Sequence, residues 1–151
     1  MELNCNLGER FGACKMGQDD LMSSFGIFNA ILSAVTDSAS GGRPALMIMA
    51  TSNHARYAKQ AENYGIILVF KVFADRAYTA EGKLMFRSPP GAVLSERDDI
   101  LEQVRLLTKK SQVRAAGGQL LAVESDTLGV HGDNEHAIQM VADIRKGSHG
   151  G

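Results

Sequence analysis

The chain has 151 residues, with 16 Lys and Arg, 17 Asp and Glu and a formal net charge of -1 at pH 7. A chain of this length can bury an ordinary hydrophobic core without disulfides or metal ions. Its balanced charge, without a like-charge block, argues against nucleic acid or an anionic membrane as the main partner. Cys5 and Cys14 fit neither a disulfide framework nor a zinc knuckle, and MELNCNLGER lacks the features of a signal peptide. We therefore expect a cytoplasmic protein that acts on a small molecule or a protein.

The first half of the chain alternates predicted strands and helices. ELNCNL (2–7) alternates apolar and polar residues like a short strand, and FGIFNAILSAV (25–35) has the apolar spacing of a helix. ALMIMA (45–50) is an apolar run typical of a strand covered on both faces. NHARYAKQAENY (53–64) predicts a helix that ends at the following glycine, and IILVFKVF (66–73) predicts a second buried strand. This order indicates parallel strands joined by a right-handed crossover.

The second half continues the alternation and adds a hairpin. Its segments with helical or strand periodicity are a helix at ERDDILEQVRLLTKK (96–110), a hairpin at SQVRAAGGQLLAV (111–123), a strand at TLGV (127–130) and a helix at NEHAIQMVADIRK (134–146). Ser95 and Asp98 resemble a capping box, which predicts that Ser95 begins the first of these helices. The remaining tail, 147–151, is expected to be disordered.

Polar residues follow the predicted parallel strands, where ligands bind in open α/β sheets and barrels. The candidates are Asn4 and Asn6 in the first strand and Glu9 after it, Asp75 and Arg76 after the third, and His131 and Asp133 after TLGV. His131 with Asp133 is the sharpest pair, because histidine exchanges a proton near neutral pH and a carboxylate can orient it. The equally weighted alternative is that Asp133 caps the last helix while His131 satisfies a loop carbonyl.

Structural roles compete with function at the other candidates too. An ion pair or loop anchor is the preferred interpretation of Asp75 and Arg76, while Asn4 and Asn6 can bind backbone as well as substrate. His54 has no partner at ligand spacing, so no metal site is predicted. No phosphate-binding loop of the form GxxxxGK(S/T) is present.

Three segments carry distinctive motifs: LNCNLGERFGACKMG (3–17), VFADRAYTAEGKLMFRSPPGAVL (72–94) and DTLGVHGD (126–133). They resemble signatures of the LamB/YcsF family, whose members form the A subunit of 5-oxoprolinase. The resemblance implies a (β/α) barrel of the glycoside hydrolase/deacetylase type that opens 5-oxoproline to L-glutamate with ATP, with Mg²⁺ as the ATP counter-ion, together with subunits B and C. It also implies catalytic roles for Asp75, His131 and Asp133, and substrate contacts for the residues Asn4, Asn6, Glu9 and Arg76.

This chain departs from the family pattern in two ways. The first-strand aspartate of the family is Asn6 here, which removes a carboxylate. The family's central histidine-containing motifs are missing between Met22 and Phe25, so residues 1–146 are interpreted as one α/β domain with an internal deletion near 23–25. A closed barrel takes roughly 200 residues or more. We therefore expect a partial or open barrel that lacks several central strand-helix units, with about four sheet strands plus a hairpin.

The exposed edges of such a sheet favour a homo-oligomer or another covering partner. Whether the shortened chain is an active enzyme is left open. One alternative is a catalytically inactive paralogue that serves as a binding or oligomerisation module. A weaker alternative is a metal-dependent, deacetylase-like hydrolase, for which His131 and Asp133 are the available ligands.

Overall fold

The computed structural model of the protein describes residues 2–6, 25–39, 42, 44–51, 53–131 and 137–148, with the backbone alone at 2–6, 25, 137, 138, 140 and 146–148. Strands and helices alternate through most of these residues, as predicted. In chain order they are β1 (Glu2–Asn6), α1 (Phe25–Ser38), β2 (Ala45–Met49), α2 (His54–Glu62), β3 (Ile67–Phe73), α3 (Arg97–Lys110), β4 (Gln112–Arg114), β5 (Leu120–Ala122), β6 (Thr127–His131) and α4 (Ala137–Ser148).

The main sheet has the strand order β1-β6-β3-β2, and β1 and β3 both run parallel to β6. Register pairs Asn6 with His131 across β1 and β6, and Phe73 with Gly129 across β3 and β6. β4 and β5 form a separate antiparallel hairpin. The chain therefore has an α/β fold with a parallel sheet, and the predicted four sheet strands and hairpin are confirmed. The partial or open barrel stays a prediction.

Contacts divide the chain into two compact units. One contains β1, the end of β3 from Phe70 onward, α3, the hairpin, β6 and α4. Its core includes fully buried apolar side chains from the loop after β3, from α3, from the hairpin and from β6, namely Tyr78, Ile100, Leu107, Val113, Val123 and Val130. Burial of each such side chain contributes roughly 1.5–3 kcal/mol.

The other unit contains α1, β2, α2 and the first residues of β3. Phe28 and Leu32 of α1 are fully buried against Ala61 and Ile66. Phe28 also contacts Tyr57 edge to face, with ring centroids 4.9 Å apart. The apolar residues of α1, which recur at helical spacing, therefore lie on the face of the helix that packs into the core.

Helix ends agree with the sequence in one case and differ in two. Gly65 has φ +67° just after α2, as predicted for a glycine at a helix end. The Ser95 cap is wrong, because α3 begins at Arg97 after Glu96, without a side-chain cap. The Ser95 hydroxyl instead donates to the Glu96 carboxylate at 3.4 Å. Helix α4 ends at Ser148 and so includes the first two residues of the predicted tail.

The interpretation of 1–146 as one domain with a deletion near 23–25 stays a prediction, since 7–24 lie outside the described residues. Within the described part of the chain, no helix is long and apolar enough to cross a bilayer.

Candidate functional site

Asp75 and His131 form a buried pair at the carboxyl ends of β3 and β6. Their side chains are only about 5% exposed, and the His131 Nδ1 atom lies 3.0 Å from both carboxylate oxygens of Asp75. The Asp75 Oδ2 atom also accepts the His131 backbone N–H at 3.0 Å. The carboxylate therefore fixes both the main chain and the ring of the histidine.

The ionisation of Asp75 decides which imidazole nitrogen carries the proton. Burial raises the pKa of Asp75, but the hydrogen bonds from the His131 ring and backbone and the imidazole charge outweigh it, so the pKa lies below its usual range. An ionised carboxylate only accepts hydrogen bonds, so Nδ1 must carry a proton. In the neutral imidazole, Nε2 is then a proton acceptor.

The Nε2 atom of His131 is buried and has no hydrogen-bond partner among the described residues. Buried polar atoms in native proteins are nearly always satisfied, so an exception calls for a physical explanation. Here the atom is the basic nitrogen of an oriented imidazole, an arrangement that suits a general base toward a bound molecule.

An aromatic side chain packs on one face of the His131 ring. The Phe73 ring stacks on it, with centroids 4.3 Å apart and planes 18° from parallel. Lys71, two residues earlier on β3, is buried and places Nζ 4.5 Å from the centroid of the same Phe73 ring. Gly129 on β6 leaves space for both side chains, because an added Cβ would lie 2.6 Å from Lys71 Cε.

The loop after β3 is anchored by its own buried polar side chains. The Tyr78 hydroxyl accepts the Phe73 N–H at 2.9 Å, and burial raises the pKa of Tyr78, which keeps the phenol protonated. The Arg76 guanidinium donates to the carbonyls of Met85 and Ala92 farther along the loop. These bonds explain why polar residues follow so closely on a buried strand: they hold the turn that carries Asp75.

We expect Tyr78→Phe to lower the free energy of unfolding by about 1 kcal/mol, because it removes the oxygen that the buried Phe73 N–H bonds. Urea denaturation followed by circular dichroism measures the change. Tyr64→Phe is the matched control, since it deletes the same atom from a half-buried ring. Equal losses in the two variants would contradict a structural role for the Tyr78 hydroxyl.

The predicted site residues separate into three groups. Asp75 and His131 meet, although the sequence favoured Asp133 as the partner of His131. Asn4 and Asn6 lie at register positions beside Gly129 and His131, which places the backbone of β1 next to this pair. Glu9 and Asp133 lie outside the described residues.

Arg76 has a different environment from the one that a substrate contact suggests. It is only 6% exposed, and the donors described above are directed at loop carbonyls. This geometry matches the loop-anchor interpretation, and substrate binding by Arg76 stays a prediction.

Sequence reasoning missed three residues that shape the site. Gln103 of α3 is 5% exposed and occupies a core position between Ile100 and Val104. A polar residue inside an apolar helical stripe is a signal that could have identified it. Lys71 interrupts an apolar strand in the same way, whereas nothing in the sequence marks the stacking role of Phe73.

A family model described as the LamB/YcsF family matches residues 26–150 of this chain. The chain belongs to the LamB/YcsF family. Among curated relatives, it is 42% identical over 127 residues to the A subunit of 5-oxoprolinase from Vibrio cholerae, covering 84% of this chain and 50% of that protein. It is 40% identical over 100 residues to the A subunit of 5-oxoprolinase from Pyrococcus abyssi, covering 66% of this chain and 39% of that protein.

A solved structure supports the fold of this LamB/YcsF protein. The lactam utilization protein from Thermus thermophilus superposes with a TM-score of 0.64 at 24% identity, covering 81% of this chain and 47% of that one. The chain thus spans about half the length of the curated relatives it matches.

Proposed function

We propose that this LamB/YcsF protein takes part in the ring opening of 5-oxoproline to L-glutamate, with His131 as general base. The observation that carries the proposal is the buried Nε2 of His131, which has no described partner while Asp75 holds the opposite nitrogen. The relatives are named as the A subunit of 5-oxoprolinase, and that name supplies the substrate. The chain spans about half the length of those relatives, so its activity, substrate and partners are proposed and not transferred directly from them.

The pair can move one proton in each direction during lactam hydrolysis. Nε2 accepts a proton from the water whose oxygen forms a bond to the lactam carbonyl carbon. The Asp75 carboxylate stabilises the resulting imidazolium through Nδ1–H. Nε2 then returns the proton to the ring nitrogen as the C–N bond breaks, and the second proton of the water passes from the new carboxylic acid to the amine, which yields the ammonium and carboxylate groups of glutamate.

The use of ATP, with Mg²⁺ as its counter-ion, is proposed on the family resemblance. The sequence has no phosphate-binding loop of the GxxxxGK(S/T) kind. Subunits B and C and a cytoplasmic location are proposed on the same resemblance. Asn4, Asn6, Glu9 and Arg76 stay proposed substrate contacts, and Asp133 a second proposed proton carrier.

The half-length of the chain favours a second candidate, an inactive module that binds the partner subunits or a second copy of itself. The deacetylase-like alternative stays a proposal, because His131 is described and Asp133, its other candidate ligand, lies outside the described residues. Metal analysis of the purified protein tests that alternative.

The experiment is an assay of glutamate and ADP release from 5-oxoproline with the partner subunits added. Turnover by the wild-type chain that is lost in His131→Ala supports the proposal. Turnover equal in the two proteins contradicts the role of His131. If neither protein turns over but both bind the partner subunits in light scattering, the inactive module is favoured.

A further inference from the structure

Gln103 lies opposite the turn that carries Asp75, and its position is unusual for a polar residue. It belongs to the buried face of α3, among Ile100, Val104 and Leu107, and is only 5% exposed. A buried amide without partners costs free energy, so its hydrogen bonds show why glutamine is tolerated there.

The side-chain amide nitrogen of Gln103 reaches three main-chain carbonyls of the turn. Nε2 lies 3.0 Å from the oxygen of Phe73, 2.9 Å from that of Ala74 and 2.8 Å from that of Arg76. A primary amide has two hydrogens, so the three acceptors share them. Gln103 thus binds the residues on both sides of Asp75 with a single group.

Other bonds complete this fixation of Asp75. The Ala74 N–H donates to the Gly129 carbonyl of β6 at 2.9 Å, and the Asp75 carbonyl accepts the Leu94 N–H at 2.9 Å. The carbonyls bound by Gln103 lie where β3 ends at Phe73 and the chain turns. A helix side chain supplies their donors, so the direction of the Asp75 carboxylate depends on α3.

We propose that Gln103 is a positioning residue that sets the proton on Nδ1 of His131 by fixing the Asp75 turn. The inference rests on the proposed function, in which Nε2 is the base. Without the amide donors, the turn loses three hydrogen bonds, the Phe73 carbonyl keeps the Tyr78 hydroxyl at 3.5 Å, and the carboxylate loses its fixed direction toward the ring. The imidazole is then no longer restricted to one tautomer.

Gln103→Met tests the proposal, because methionine fills a similar volume without N–H donors. The tautomer of His131 is read from the ¹⁵N shifts of the ring nitrogens, assigned by comparison with His131→Asn. We expect Nδ1–H alone in the wild type and a mixture of both tautomers in Gln103→Met. Where turnover is measurable, kcat should fall about 10- to 100-fold with little change in KM.

Val104→Ala is the matched control, since it perturbs the same helix at a buried apolar position that makes no bond to the turn. It should lower stability and leave the tautomer unchanged. In an Asp75→Asn background, adding Gln103→Met should change the tautomer no further, as expected for a residue that acts through Asp75. An unchanged tautomer in a folded Gln103→Met would overturn the proposal.

A measurement on the wild type keeps the test decisive if Gln103→Met does not fold. The side-chain amide protons of Gln103 should exchange slowly with solvent, as protons held by buried carbonyls do. Rapid exchange in the folded protein would overturn the proposal. The tautomer of His131 and the amide exchange of Gln103 are both measured without turnover. If the chain does not open 5-oxoproline, the proposed function is refuted, but the role of Gln103 can still be tested.

Discussion

Asp75→Asn is expected to lower turnover by a factor on the order of 10⁴, the size associated with a histidine base held in the wrong tautomer. Both carboxylate oxygens lie 3.0 Å from His131 Nδ1, and one also accepts the His131 backbone N–H. An asparagine that keeps its oxygen on the backbone N–H must turn its NH₂ group toward Nδ1. That group donates, so the proton moves to Nε2, which then cannot act as a base.

The ¹⁵N shifts of His131 measure this change directly, and steady-state glutamate release measures its consequence. Asp126→Asn is the matched control. The Asp126 carboxylate also accepts a backbone N–H, that of Phe70 at 2.8 Å, just before β6 rather than at its end. This control should lose some stability while keeping the Nδ1–H tautomer, and a tautomer change in both variants would contradict a specific role for Asp75.

The same substitution is expected to change the acid stability of the fold. The pKa of Asp75 is lowered in the folded state, so the group stabilises the fold above its unfolded pKa, about 3.9. That contribution is lost as the pH falls through the lower, folded pKa. Urea midpoints between pH 6 and pH 2 should therefore fall more steeply for the wild type than for Asp75→Asn.

The sequence predicted the elements of the site better than their arrangement. Apolar runs identified β2 and β3, but the prediction that β2 is covered on both faces is wrong, because β2 ends the described sheet and Ala45 and Met47 are exposed. The chain order could not reveal that β6 lies between β1 and β3, and this order is what brings His131 to Asp75. Proximity in sequence favoured Asp133 instead. Strand adjacency depends on long-range packing, which local periodicity does not encode.

The helix ends show a second limit. Acidic residues follow both Ser95 and Glu96, so the first turn of α3 is favoured by the helix dipole whichever residue precedes it. The spacing of a capping box alone does not decide at which of two neighbouring residues a helix begins. Gln103 was missed for another reason: its partners are carbonyls of a turn about thirty residues earlier, and such a long-range contact leaves no local pattern in the sequence.

Gly129→Ala is expected to lower the free energy of unfolding by about 2–3 kcal/mol, the upper part of the usual cost of overpacking. The added Cβ would lie 2.6 Å from Lys71 Cε and 3.0 Å from two carbons of the Phe73 ring. The lysine end can move aside. The Phe73 ring can do so only by leaving its stack on His131, since the backbone of β6 is paired on both sides by β1 and β3.

Urea denaturation measures the stability change, and the ring-current shift of the His131 carbon-bound protons reports the displacement of Phe73. Gly26→Ala is the control, because nothing lies within 4 Å of a Cβ added there on α1, and it should be neutral or stabilising. Adding Lys71→Ala to Gly129→Ala should recover the part of the loss that comes from the lysine. If Gly129→Ala leaves both the stability and the chemical shifts of the His131 carbon-bound protons unchanged, the Phe73 ring is not confined against the histidine. The inference that Phe73 holds the imidazole in place would then be wrong.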